Sequence, residues 1–160
     1  MSDNKNILFS GVGGQGILLA SEITAQALLA VGFDVKKSEV HGMAQRGGSV
    51  ESHLRFGRKV YSPLITTGGA DFLVCFHPEE HPRLKSFLKP DGVDMITFLD
   101  QVQEAIDNPR CLNTCLVGVL STHLSIPEDC WMRAIETVFK KSVVAENKKI
   151  FRTGRDIGQS

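Results

Sequence analysis

Arg46 stands between Gln45 and a pair of glycines in the run His41-Gly42-Met43-Ala44-Gln45-Arg46-Gly47-Gly48-Ser49, the stretch with the densest polar chemistry in the chain. A guanidinium presents a rigid fork of donors. Glycine-rich backbone beside it can turn N–H groups into the same concavity, so a carboxylate, phosphate or pyrophosphate would fit. A second candidate lies upstream, where Gly11-Val12-Gly13-Gly14-Gln15-Gly16 satisfies G-x-G-x-x-G. Its glycines permit a tight turn and close approach by a ligand, and the first N–H groups of a following helix face an anion. Both motifs have plainer readings. The glycines could serve only to pack a helix on a strand, and Arg46 could be solvated or ion-paired on a surface loop.

Other chemistry is weaker. The dinucleotide form of the glycine motif needs an acid about 20 residues on, at the end of the second strand. Lys36 and Lys37 stand near that place with Glu39 beyond, so ribose recognition in the NAD manner is not expected. His77-Pro78-Glu79-Glu80-His81 contains the H-x-x-E-H pattern of certain zinc peptidases, which requires both histidines on one face of a continuous helix. Pro78 and Pro82 steer the residues before them away from helical geometry, so solvated loop residues are the better reading. Cys75, Cys111, Cys115 and Cys130 lie in apolar runs without a CxxC pair. They read as small buried residues rather than ligands of zinc or an iron–sulfur cluster.

The elements that must position these groups follow from periodicity. Residues 6–10 read as a first strand, 16–31 as a helix stopped by Gly32, and 33–38 as a second strand. Residues 39–48 lack any period and read as a loop leaving the carboxyl end of that strand, beside the glycine turn. Alternation over 49–56 gives a half-buried strand that turns at Gly57 into a hairpin with Val60 and Tyr61, and the continuously apolar 72–76 reads as a strand at the sheet centre. Pro82 opens a helix to Leu88, residues 89–92 read as a turn, and 94–107 stays open between strand and helix. Helices are expected over 112–124 and 127–140. The whole, residues 1–160, is one Rossmann-like α/β domain with a mainly parallel sheet and helices on both faces.

Composition sets outer bounds. Lys plus Arg number 18 and Asp plus Glu number 18, for a net charge of zero, so nothing pulls the chain toward nucleic acid or an anionic membrane. No apolar run approaches the roughly 20 residues of a membrane span, and MSDNKNILFS has no leader pattern, so the expectation is a cytoplasmic protein.

Taken together, GVGGQGILLASE, KKSEVHGMAQRGGSVESHLRFG and KVYSPLI resemble the gamma-type domain of the 2-oxoacid:ferredoxin oxidoreductases, and in particular the small beta subunit of its indolepyruvate members. The likeness continues through ADFLVCFHPEE, NTCLVGVLS and the region from Pro127 onward. It implies a subunit that is inactive alone and completes an active-site cavity. Gly11, Gly13, Gly14, Gln15, Gly16, His41, Gln45, Arg46, Gly47, Gly48 and Ser49 would face an anionic substrate or coenzyme A. It also implies a larger alpha subunit that holds thiamine diphosphate and the iron–sulfur clusters and passes electrons to ferredoxin, with no cofactor on this chain alone. For the isolated chain a homodimer is an alternative. One departure stands out: residues 90–92 run almost directly into 94–97, where the family continues with a further strand and an excursion. A sheet strand and part of the partner-facing surface are therefore expected to be absent. The competing readings are a stand-alone nucleotide-binding module and a structural subunit without its own site.

Overall fold

In the computed structural model, which describes residues 4–41 and 48–160, one five-stranded sheet runs in the order β2-β3-β1-β4-β5. The strands are β1 (Lys5–Val12), β2 (Asp34–His41), β3 (Ser49–Gly57), β4 (Ala70–Cys75) and β5 (Leu88–Asp94). The α/β expectation holds and the sheet is mixed. Strand β1 pairs in parallel with β4, and β4 with β5, whereas β3 is antiparallel to both β1 and β2. The partner of β3 is thus β2, not the expected hairpin with Val60 and Tyr61.

Alternation assigns the two faces. Ile7 and Phe9 of β1, Leu54 and Phe56 of β3, and Phe72 and Val74 of β4 point into one core, while Leu8 and Leu73 point into the other. Helices cover both faces unequally. The thick layer consists of α1 (Ile17–Ala30), α3 (Leu99–Ala105), α4 (Leu112–Ser121), α5 (Glu128–Val138) and α6 (Lys141–Gln159). The thin layer is the single turn α2 (His81–Leu84) with Ile65, packed on Leu8, Ala70 and Leu73. Fully buried side chains such as Phe9, Phe76 and Trp131 each contribute on the order of 1.5–3 kcal/mol by leaving water.

Further elements differ from the sequence expectation, among them the helix expected from Pro82 to Leu88, which is the turn His81–Leu84 and a 3-10 turn Lys85–Phe87, with Leu88 already in β5. Strand β2 runs on through Glu39, Val40 and His41, so three residues assigned to the loop belong to the ladder, with His41 opposite Val50. Residues 89–92, expected as a turn, lie within β5: Ala70 pairs with Leu88 but Phe72 with Val93, so the intervening Lys-Pro-Asp-Gly bulges out of the edge strand. The nineteen-residue α6 has no counterpart in the periodicity reading. It crosses α4 where Gly118 meets Gly154, and a Cβ at either glycine would run into the backbone of the other helix. The open stretch 94–107 resolves into a 3-10 turn at Met95–Phe98 followed by α3.

Candidate anion site at the glycine turn

The carboxyl ends of β1 and β2 reach the same edge of the sheet, because each is antiparallel to the β3 between them. The glycine turn leaves β1 at this edge, where β2 ends at His41 and β3 begins at Ser49. Gly13 donates its N–H to the carbonyl of Gly48 over 2.9 Å, which ties the two glycine-rich segments together. Gln45, Arg46 and Gly47 lie outside the described residues; His41, Gly48 and Ser49 flank them. His41 is exposed at the end of β2, and Ser49 opens β3 opposite Val12.

Within the turn the roles divide. Gly11 is buried in β1, where a Cβ would strike Gln15, Ile17 and Phe76, so its contribution is packing. Gln15 laces two strand ends together: its Oε1 accepts from the Val12 N–H at 2.9 Å and its Nε2 donates to the Phe76 carbonyl at 3.2 Å. Its side chain is therefore engaged within the fold. Gly13 and Gly14 are exposed. Gly16 caps α1 at φ 79, a left-handed conformation suited to glycine. The first bond of the helix runs from the Ala20 N–H to the Gly16 carbonyl at 3.1 Å, which leaves the N–H groups of residues 17–19 without acceptors in the helix. Those donors carry the positive end of the helix dipole.

Sequence reasoning from the residues missed Asn113. It is 3% exposed at the start of α4 and donates from Nδ2 to the Gly16 carbonyl at 3.3 Å, so the starts of α1 and α4 meet at this contact. Its Oδ1 accepts from the Thr114 N–H, and Thr114 donates to Asn147 of α6 at 2.6 Å. The available signal was an asparagine followed by a threonine inside an apolar helical run. Beside the turn lies a cleft of about 440 Å³, with Gly14 and Gln15 on one side and Ile106, Arg110 and Leu112 on the other.

The dinucleotide arrangement is not reproduced here. Strand β3 separates β1 from β2, so the end of β2 lies two strand spacings, about 10 Å, from the turn that would hold the pyrophosphate. Lys37 pairs with Glu22 of α1, and Lys36 with Asp34.

The other face of the sheet carries a charged network. Glu51, 8% exposed, bonds His53 Nε2 through Oε1 at 3.1 Å and Arg83 through Oε2 at 2.6 Å, and Arg83 also holds Glu80. His53 Nδ1 accepts from the Ile65 N–H at 3.1 Å, which leaves the ring proton on Nε2 to donate to Glu51. The hydrogen bond from His53 holds the Glu51 carboxyl below its ordinary value, aided by Arg83 and opposed by burial.

His77 and His81 are engaged rather than simply solvated. His77 Nδ1 accepts from the Glu79 N–H, and His81 Nε2 meets Asp94 at 2.7 Å. Among the described residues no group of three or more His, Cys, Asp or Glu side chains is placed to hold a metal ion. Burial pushes the Cys115 thiol up to about 12 and raises those of Cys75 and Cys111, which makes these thiols poor nucleophiles. No described helix is long and apolar enough to cross a membrane.

Known proteins agree with this architecture. The indolepyruvate oxidoreductase subunit IorB of Thermococcus kodakarensis is 46% identical over 88 residues, a match covering 55% of this chain and 44% of that relative, so less than half of the relative's length is represented. The gamma subunit of a keto/oxoacid ferredoxin oxidoreductase from Geobacter sulfurreducens superposes with a TM-score of 0.78 at 22% identity, covering 97% of this chain and 98% of that one. A 2-oxoglutarate:ferredoxin oxidoreductase from Magnetococcus marinus, solved with 2-oxoglutarate, coenzyme A and succinyl-CoA, superposes with a TM-score of 0.78 at 19% identity, covering 99% of this chain and 32% of that one. Residues 6–98, from β1 through β5 and the 3-10 turn after it, match pyruvate ferredoxin/flavodoxin oxidoreductase, and the chain belongs to that family.

Proposed function

We propose that this chain is the small subunit of a 2-oxoacid:ferredoxin oxidoreductase that takes an aryl 2-oxoacid such as indolepyruvate. In the assembled enzyme the substrate carboxylate leaves as carbon dioxide, the acyl group passes to the coenzyme A thiol, and the electrons go to ferredoxin. Thiamine diphosphate and the iron–sulfur clusters belong to a larger alpha subunit. This chain contributes a wall of the cavity: the exposed Gly13 and Gly14, Gly16, and the segment from His41 to Ser49 with Gln45 and Arg46, face the anionic substrate or coenzyme A. The observation that supports this reading is the Gly13–Gly48 hydrogen bond, which holds Gly48, two residues after Arg46 in the sequence, at the glycine turn. An arginine fork beside helix-start N–H groups suits a carboxylate or phosphate. The likeness to indolepyruvate oxidoreductase subunits supports the aryl substrate.

Co-expression with the larger subunit, followed by assay of coenzyme A-dependent ferredoxin reduction with aryl and aliphatic 2-oxoacids, tests this. Activity is expected only from the two chains together and fastest with aryl 2-oxoacids. Equal activity from the larger subunit alone would overturn the proposal.

A further inference from the structure

We propose that this chain pairs with a second copy of itself along β2, so that two five-stranded sheets join into one across a two-fold axis at Ser38. An edge strand offers a row of unpaired N–H and C=O groups, and folded chains ordinarily blunt such edges. The two edges of this sheet differ in that respect. On β5 the ladder shifts between Ala70 and Phe72, and Pro90 has no N–H to give. Strand β2 has neither device. Its eight residues keep an unbroken register against β3 from Asp34 to His41, and no strand or backbone hydrogen bond among the described residues covers its outer side.

Apolar exposure gathers around the same edge. Leu19 and Leu29 stand on the face of α1 that carries Glu22, and Glu22 reaches Lys37 of β2. Phe33 precedes β2, Val40 lies in it, and Tyr61 follows Val60, whose N–H donates to Asp34 at 2.8 Å. These side chains are exposed, whereas no large apolar side chain of α3, α4, α5, α6 or β5 is.

The charges on β2 select a second copy as the occupant. Antiparallel pairing of the strand with itself about Ser38 sets Lys37 opposite Glu39 twice, by symmetry, on the face turned to α1. It sets Lys36 opposite Val40 twice on the other face. Lysines on an edge ordinarily deter pairing, but here each meets a complement. Glu39 is exposed and joins no ion pair among the described residues, so across the axis it can share Lys37 with Glu22. The apolar stem of Lys36 can cover Val40. Shifting the axis by one residue along the strand would set Lys37 against Lys37 or Glu39 against Glu39, so the charges also fix the register.

Sedimentation equilibrium of the 160-residue chain and of two charge variants tests the pairing. The parent is expected to be dimeric at about 10–100 μM. Glu39→Lys sets lysine against lysine across the axis. Lys37→Glu, combined with Glu22→Gln to avoid a clash of acids within the chain, sets acid against acid. Each is expected to weaken self-association by about tenfold or more. Mixed in equal amounts, the two variants regain both opposite-charge pairs and are expected to form a one-to-one heterodimer near the parental affinity. Loss of fold could not be rescued in that way, and because Glu39 is exposed, circular dichroism of Glu39→Lys should match the parent. A monomeric parent, unchanged self-association in Glu39→Lys, or a mixture that stays monomeric would each overturn the proposal. So would a monomeric parent whose binding to a larger oxidoreductase subunit is lost in Glu39→Lys, since the edge would then belong to that subunit. Pairing through β2 uses none of the glycine turn, so its failure would leave the subunit assignment untouched.

Discussion

Gly13 and Gly48 are joined by a 2.9 Å hydrogen bond from the N–H of the first to the carbonyl of the second, across the end of the β1–β3 ladder. The bond uses a donor that a free glycine turn would offer to an anion, and Gln15 takes the Val12 N–H in the same way. What the turn retains for a ligand includes the N–H groups at the start of α1. An anion held there needs a further cation, and the β2–β3 connection carries Arg46.

Replacing Arg46 with alanine is therefore expected to lower turnover of the assembled complex while leaving assembly intact. Loss of a charged contact in a desolvated site costs about 2–5 kcal/mol, against about 0–1 for an exposed ion pair. Lysine should not restore activity, because an ammonium lacks the planar fork. Steady-state kinetics and gel filtration on the same preparation decide the matter: normal kinetics, or dissociated subunits, would move Arg46 out of the site.

Gly16→Ala is expected to destabilise the chain by about 2 kcal/mol or more, through a left-handed φ that alanine resists and a Cβ that meets the Asn113 amide. The two contributions separate in a double-mutant cycle. Asn113→Ala alone loses the bond to Gly16, yet combined with Gly16→Ala it removes the collision, so the pair should be less harmful than the sum of the single changes. Strict additivity in urea denaturation would mean that the two side chains do not share this space.

The legible parts of the fold are those whose pattern is local. The apolar run 72–76 and the helical period of α1 needed only their own residues, and β4 and α1 occur where expected. The pattern of β2 fades before its end because Glu39-Val40-His41 sits on an exposed edge, where no buried face imposes alternation. The Lys-Pro-Asp-Gly signal reads as a turn, but an edge strand tolerates a proline, and the same residues form a bulge. Helix α6 buries Asn147, Phe151 and Gly154, with Val144, Ile150 and Ile157 half-buried beside them, and the polar Asn147 and small Gly154 interrupt the apolar period of that stripe. At the site the glycines were visible as a motif. The engagement of Gln15 with Phe76, and of Asn113 with Gly16, spans 61 and 97 residues and is set only by the sheet and the packing of α4.

The Glu51 network gives stability a pH dependence. Its folded carboxyl lies below the ordinary 4.5, so the group binds fewer protons folded than unfolded on the acid side. The stabilisation is complete above pH 4.5 and fades as pH falls through the folded value. Glu51→Gln should accordingly lose more stability at about pH 7 than at about pH 3, where the parent carboxyl is itself being protonated. Urea midpoints for both proteins across that interval measure it, and a gap that stays constant with pH would exclude Glu51 as the source.

Ser10 lies in β1 beside Glu51 on one neighbour and Cys75 on the other, is fully buried, and has a hydroxyl oxygen with no hydrogen-bond partner. A buried hydroxyl left unpaired costs on the order of 1–3 kcal/mol in lost hydration. Ser10→Ala deletes that oxygen and keeps the Cβ, so the only opposing effect is a void smaller than a methyl group. The variant is expected to unfold at the same temperature as the parent chain or a higher one. Cysteine, with a weaker polar group of similar shape, should fall between or match it. A loss of more than about 1 kcal/mol in Ser10→Ala would show that the hydroxyl is bonded in the folded chain, with the Glu51 carboxylate in the facing register as the acceptor to examine by Ser10→Ala combined with Glu51→Gln.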